Sequence, residues 1–205
     1  MEIRAFICTA IATAFLATIP ASADSITYTA TGFESGTIGT TTFNLAAVTV
    51  TITADTGGIV PSSIDPTYLA NPGTATITIA GIGTATFSDS MFAISTDNSS
   101  FNGNPAALIY DATDGRVVLG AFSPAFLGYG LGTSIGPVSG ATFASGCNDN
   151  PCNFNTSLGI LNWAGNAAQG PTATFEAQTA AVPEPSSLAL LSPGLLAVLR
   201  IRKWR

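Results

Sequence analysis

Histidine is absent from this 205-residue chain, lysine occurs once, at Lys203, and charged residues make up only 9% of the total. Without an imidazole, the usual proton acceptor for a catalytic serine and the commonest metal ligand are both missing. Cysteine is scarce as well, at Cys8, Cys147 and Cys152. Two cysteines in the body of the chain and no histidine leave zinc short of its usual ligands, so no metal centre is expected. Base is almost wholly confined to the C-terminus. Residues 24–180 hold ten acidic side chains and one basic one, Arg116, so this body carries a net charge of about −9. It has no basic surface to neutralise phosphates, which argues against nucleic-acid binding and against anionic lipid surfaces.

What the body does have is alternation. Ile26, Tyr28 and Ala30 alternate with Thr27, Thr29 and Thr31; Val48, Val50 and Ile52 with Thr49, Thr51 and Thr53; Ala75, Ile77 and Ile79 with Thr74, Thr76 and Thr78. A period of two built on β-branched residues predicts half-buried antiparallel strands with one apolar and one threonine face. Further strands are expected at 84–87, 92–95, 106–111, 116–122, 158–163 and 172–177. Turn chemistry separates them at Asp55-Thr56-Gly57-Gly58, Asn71-Pro72-Gly73, Asn102-Gly103-Asn104-Pro105 and Asp114-Gly115. Eight to ten short strands without a convincing helix predict an all-β fold, an antiparallel β-sandwich of jelly-roll or immunoglobulin type, with a solenoid as the alternative. Thr-x-Thr rows on a flat sheet can order water and bind ice. They equally give a secreted domain an outer face that is soluble without charge, and that simpler role is the expectation.

Motifs that invite catalysis do not assemble a mechanism. Gly132-Thr133-Ser134-Ile135-Gly136 fits the G-x-S-x-G pattern, but no base is present to take the serine proton, so a glycine-rich loop is expected and no catalytic residue is assigned. Asp89, Asp97, Asp111, Asp114 and Glu176 could supply an acid pair for glycoside hydrolysis, yet nothing in their spacing selects two of them. Calcium could meet carboxylates at Asp111 and Asp114, at Asp97-Asn98 or at Asn148-Asp149-Asn150, but Asp114-Gly115 is better read as a hairpin turn. Cys147 and Cys152, in CNDNPC, are expected to form a disulfide in an oxidising compartment, worth about 2 kcal/mol for so short a loop. Asn98-Ser99-Ser100 and Asn155-Thr156-Ser157 fit the glycosylation pattern without further support.

The two ends of the chain read as addresses. Residues 1–23 combine Arg4, an apolar stretch from Ala5 to Ile19, and Pro20 before Ala21-Ser22-Ala23, a small-x-small cleavage site. This predicts a secretory signal helix, removed by signal peptidase after Sec export with Ala21 and Ala23 at the cut, leaving Asp24 first; Cys8 leaves with it. Residues 181–205 carry a rigid Val182-Pro183-Glu184-Pro185 handle. An apolar segment follows (Leu188, Leu190, Leu191, Leu195, Leu196, Val198, Leu199), then a basic stop (Arg200, Arg202, Lys203, Arg205). As a helix, residues 186–201 reach about 24 Å against a hydrocarbon thickness of roughly 30 Å, so the expected transmembrane helix is short and its anchoring transient. Between the two addresses, residues 24–180 form one secreted domain.

In that order of triplet, apolar run and basic finish, the last 25 residues resemble a PEP-CTERM sorting domain. The family is also described as the C-terminal domain of ice-binding proteins, a description that concerns the tail and not the body. The resemblance implies a substrate of exosortase, a membrane-embedded cysteine protease or transpeptidase, in a Gram-negative bacterium that makes exopolysaccharide. The expectation is therefore a non-enzymatic protein of the cell surface or biofilm matrix, without a cofactor, tethered briefly in the inner membrane and then released or attached among exopolysaccharide. The alternatives are a carbohydrate-binding module using loop carboxylates, calcium and an exposed ring such as Tyr129 or Trp163, and an acid-pair hydrolase.

Overall fold

The structure, a computed structural model, describes residues 24–97, 103–144, 153–164 and 172–180. The signal segment, the Cys147 to Cys152 loop and the whole tail from Ala181 lie outside the described residues, as do Asn98 and residues 148–150. The described chain builds strands β1 (Ser25–Ile38), β2 (Thr41–Asp55), β3 (Val60–Pro61), β4 (Leu69–Ile79), β5 (Gly83–Thr86), β6 (Met91–Thr96), β7 (Ala106–Asp111), β8 (Arg116–Phe122), β9 (Ile135–Phe143), β10 (Phe154–Thr156), β11 (Gly159–Trp163) and β12 (Ala173–Thr179). Every pairing between them is antiparallel.

The all-β reading holds, but the sheet closes on itself where a sandwich was expected. In the ring β1-β2-β4-β6-β7-β8-β9-β12 the last strand pairs back onto the first, giving a closed eight-stranded barrel. The physical reason is the length of β1 and β2, which are 14 and 15 residues long where short strands were expected. A long β1 can hold β2 along one edge while its first half holds β12 along the other, so no edge is left for two separate sheets to stack. Its second half, Gly36 to Ile38, pairs instead with β11. β4 divides in the same way, its first half on β6 and its second on β5. A Phe87–Thr156 bridge then joins the β5 side to β10, so the fork closes as well.

Alternation places the core where the pattern predicts it. Ile26, Tyr28, Ala30, Val48, Val50, Ile52, Ala75, Ile77 and Ile79 are all buried. Burying such a side chain is worth about 1.5–3 kcal/mol, which makes the inward set of these three strands the main stabilising face. A second apolar cluster, with Tyr68, Ile94, Leu108, Val117 and Phe122 at its heart, lies on the opposite side of β6, β7 and β8 from the barrel interior. Those strands therefore read as near-continuous hydrophobic runs. Asn71-Pro72-Gly73 is not a turn; it lies within β4, where Pro72 faces Phe92 on one edge. Along the other edge the β2 pairing ends at Gly73 and the β3 pairing begins at Ala70, so the missing proline N–H falls in the gap between them.

Candidate functional site

One end of the barrel is filled by residues 123–134, the connection from β8 to β9. Ser123 caps a short 3-10 turn at Pro124–Phe126, and the segment then turns inward. Phe126 and Leu131 are fully buried and Tyr129 nearly so. Phe126 meets Phe175 edge-on at 5.8 Å, and Tyr129 meets the same ring at 6.4 Å. Four hydrogen bonds fix this plug. Tyr28 donates to the Leu131 carbonyl (2.8 Å), Ser95 to the Tyr129 carbonyl (2.7 Å), Tyr129 to the Thr133 carbonyl (3.2 Å), and the Gly128 N–H donates to Asp97 Oδ1 (2.6 Å). Asn71 Nδ2 donates to the Tyr28 oxygen at 2.8 Å, completing a polar chain through the interior. Burial pushes the Tyr28 hydroxyl above its ordinary range, an effect the Asn71 hydrogen bond partly offsets.

This geometry removes Tyr129 and Trp163 as the exposed rings of the alternative carbohydrate module. Tyr129 is 8% exposed and Trp163 only 5%, and neither offers a face to a sugar ring. Trp163 instead donates its indole N–H to the Val118 carbonyl at 3.0 Å and packs edge-on against Phe43. Both rings are core because the plug and the β1 fork draw them inward.

The serine of the G-x-S-x-G match is a staple. Ser134 Oγ accepts from the Thr179 N–H at 3.0 Å and lies 3.1 Å from the Thr179 hydroxyl, tying the start of β9 to the end of β12. The candidate acids are mostly spent on turns. Asp97 holds the plug, Asp111 Oδ1 accepts from the Thr113 N–H at 2.7 Å, and Asp89 receives both the backbone and side-chain N–H groups of Asn155. Asp114-Gly115 does close the β7–β8 hairpin, with Gly115 at a φ of 71°. Glu176 faces outward in the middle of β12. Asp89 lies close enough to Asp111 to act on it: burial foremost, with the Asp89 charge adding to it, raises the Asp111 carboxyl. Asp111 is fully buried, and its Oδ2 has no hydrogen-bond partner. Among the described residues no group of three or more acidic or cysteine side chains lies close enough to hold a metal.

Among the described residues, a groove and a sheet face stand out as places where a partner could be held. The first is a groove beneath the loop between β3 and β4, in two adjoining cavities of about 250 and 190 Å³ that share Ile64, Ile94 and Tyr110. Ser62 and Ser63 line one end and Asp65 the other. The loop is self-braced. The Ser62 N–H donates to the Tyr68 carbonyl, and Asp65 Oδ1 accepts from both the N–H and hydroxyl of Thr67, which holds that carboxyl below its usual range. Nothing in the sequence marked this groove, because Phe92 and Tyr110 read as ordinary strand residues. The second surface is the threonine face. Its residues were legible one strand at a time; their alignment across strands was not.

In comparisons with known proteins, no family model, no curated protein and no solved structure matches this chain.

Proposed function

We propose that this chain is an exported, non-enzymatic β-barrel protein of the cell surface or extracellular matrix, sorted through its C-terminal segment by exosortase. The observation that carries the reading is the order of the last 25 residues: the Val182 to Pro185 handle, the apolar run from Leu188 to Leu199, and the basic residues Arg200, Arg202, Lys203 and Arg205. The barrel supports it in one respect. Its first and last strands lie side by side, and the Ala180 N–H donates to the Ser25 carbonyl at 2.8 Å. Both addresses therefore leave the domain from one edge, and cutting either removes no strand from the ring.

Intact-mass analysis of protein recovered from the envelope and medium of exosortase-proficient and exosortase-deficient cells tests this. The expected species begins at Asp24 and loses its tail near residue 185 only in the proficient strain. Retention of Arg205 in both strains would remove the sorting reading.

A second reading, a carbohydrate-binding module, is favoured by the groove, where Phe92 and Tyr110 are only half-buried beside Ser62 and Ser63. Rings with neighbouring hydroxyls suit a neutral sugar. Retention on neutral polysaccharide that is lost in Tyr110→Ala would support it; the same retention with and without a chelator would strip it of its calcium.

A further inference from the structure

The outward residues of five strands fall into register as rows. Thr174, Thr31, Thr49, Thr78 and Thr84 face one another across β12, β1, β2, β4 and β5. The next row reads Glu176, Thr29, Thr51, Thr76 and Thr86, and the third Gln178, Thr27, Thr53 and Thr74. Residues directly paired across antiparallel strands project to the same side, and the alternate residues of these strands are the buried core, so every one of these threonines points outward. Neighbours in the first row touch: Thr31 shares a hydrogen bond with Thr174, and Thr78 with Thr84 at 2.8 Å.

We propose that this face is a binding surface for crystalline water, an ice plane, centred on the three-by-three block of Thr27, Thr29 and Thr31, Thr49, Thr51 and Thr53, and Thr74, Thr76 and Thr78. The block repeats at about 4.8 Å across strands and about 6.7 Å along them, spacings close to those of water oxygens on the faces of ice. Each position offers one hydroxyl and one methyl group on a side chain that is stiff at χ1, so the lattice is ordered before water meets it. The contact is assigned to β1, β2 and β4, because strand twist of roughly 20–25° and the closure of the ring both turn more distant strands away from it.

Uniformity is what separates this face from one that is merely soluble. Solubility would be met by any polar mixture, as in the Thr174, Glu176 and Gln178 column of β12; within the block all nine positions are threonine. The acids of the described body sit largely in turns and at strand ends, and none lies in the block, so a neutral lattice meets a neutral occupant. It carries no aromatic ring, the usual platform for a sugar. The inference concerns the barrel and does not rest on how the tail is processed.

The full chain in mild detergent, with a detergent-only blank, is to be measured for ice-crystal shaping, thermal hysteresis and inhibition of recrystallisation. Folded wild-type protein is expected to facet crystals and separate freezing from melting. Thr51→Tyr, at the centre of the block, is expected to lose both effects with an unchanged unfolding midpoint, while Leu127→Lys, on the exposed side of the plug, keeps them. Should Thr51→Tyr not fold, Thr53→Lys, at an exposed position of the block, takes its place. Wild-type protein that is folded but leaves ice unshaped overturns the proposal, and so does a folded block variant as active as wild type. Retention on insoluble neutral polysaccharide that the block variant loses, without any effect on ice, overturns it too and reassigns the face to glycan.

Discussion

Asp111 shows how a residue chosen for chemistry can be occupied by structure. Its Oδ1 serves the turn at Thr113, while its Oδ2 is buried with no partner, and burial foremost, with the Asp89 charge adding to it, raises its carboxyl above the ordinary 3.8. A carboxyl raised on folding adds stability that is complete below the unfolded value of 3.8 and is lost as pH climbs through the raised folded value. Asp111→Asn keeps the acceptor for Thr113 and carries no charge at any pH. It is therefore expected to exceed wild type in stability near neutral pH and to match it below pH 3.8. Thermal unfolding at pH 3 and pH 7 checks both the sign and the window. A loss of stability at pH 7 would mean that the charge is held by a favourable partner. Tyr28 stands at the other extreme, since its hydroxyl both accepts from Asn71 and donates to Leu131 and so has both roles filled.

At the scale of elements, the plug between β8 and β9 decides whether the barrel is filled. An eight-stranded barrel encloses just enough space for side chains, and here part of that space is taken by Phe126, Tyr129 and Leu131 from a connection, not from the strands. Phe126→Ala is expected to cost about 3–5 kcal/mol in urea unfolding, because the cavity opens against Phe175 and Tyr129. Leu127, next in sequence and 70% exposed, should tolerate alanine within about 0.5 kcal/mol. Equal costs at both positions would show that the plug does not pack as described. Legibility follows the same physics. The threonine-alternating strands, the β7–β8 hairpin and the inward set could be read directly, because period two and Asp-Gly turns are local signals. β9, with Gly136, Pro137, Ser139 and Gly140, could not: it has no alternation, and Gly140 belongs there because a Cβ would lie 2.0 Å from the Phe122 carbonyl oxygen of β8. The plug was equally silent, since its apolar residues acquire a role only once a barrel exists to receive them.

For the molecule as a whole, sandwich and barrel share one set of strands and differ only in whether the last pairs with the first. That pairing joins residues near the two ends of the body, Ile26 with Thr179 and Thr31 with Thr174, and no local pattern announces a contact across such a separation. The same closure fixes what processing can remove. Tail cleavage near Pro183 to Pro185 leaves β12 whole, so the full chain and its cleaved product should unfold at the same midpoint in a single transition. Removing residues 173–179 as well exposes both the first half of β1 and the β12-facing edge of β9, and it takes Phe175 from the centre of the aromatic cluster. The main core is shared by all the strands of the ring and the second cluster centres on β6, β7 and β8, so among the described residues no second sheet is left to survive alone, and the shortened chain is expected to lose cooperative unfolding altogether. Circular dichroism melts of the three species make the comparison. A shortened chain that still melts cooperatively would mean that the remaining strands hold a sandwich-like core without closure, and the seam between β1 and β12 would then be an accessory of the fold and not its foundation.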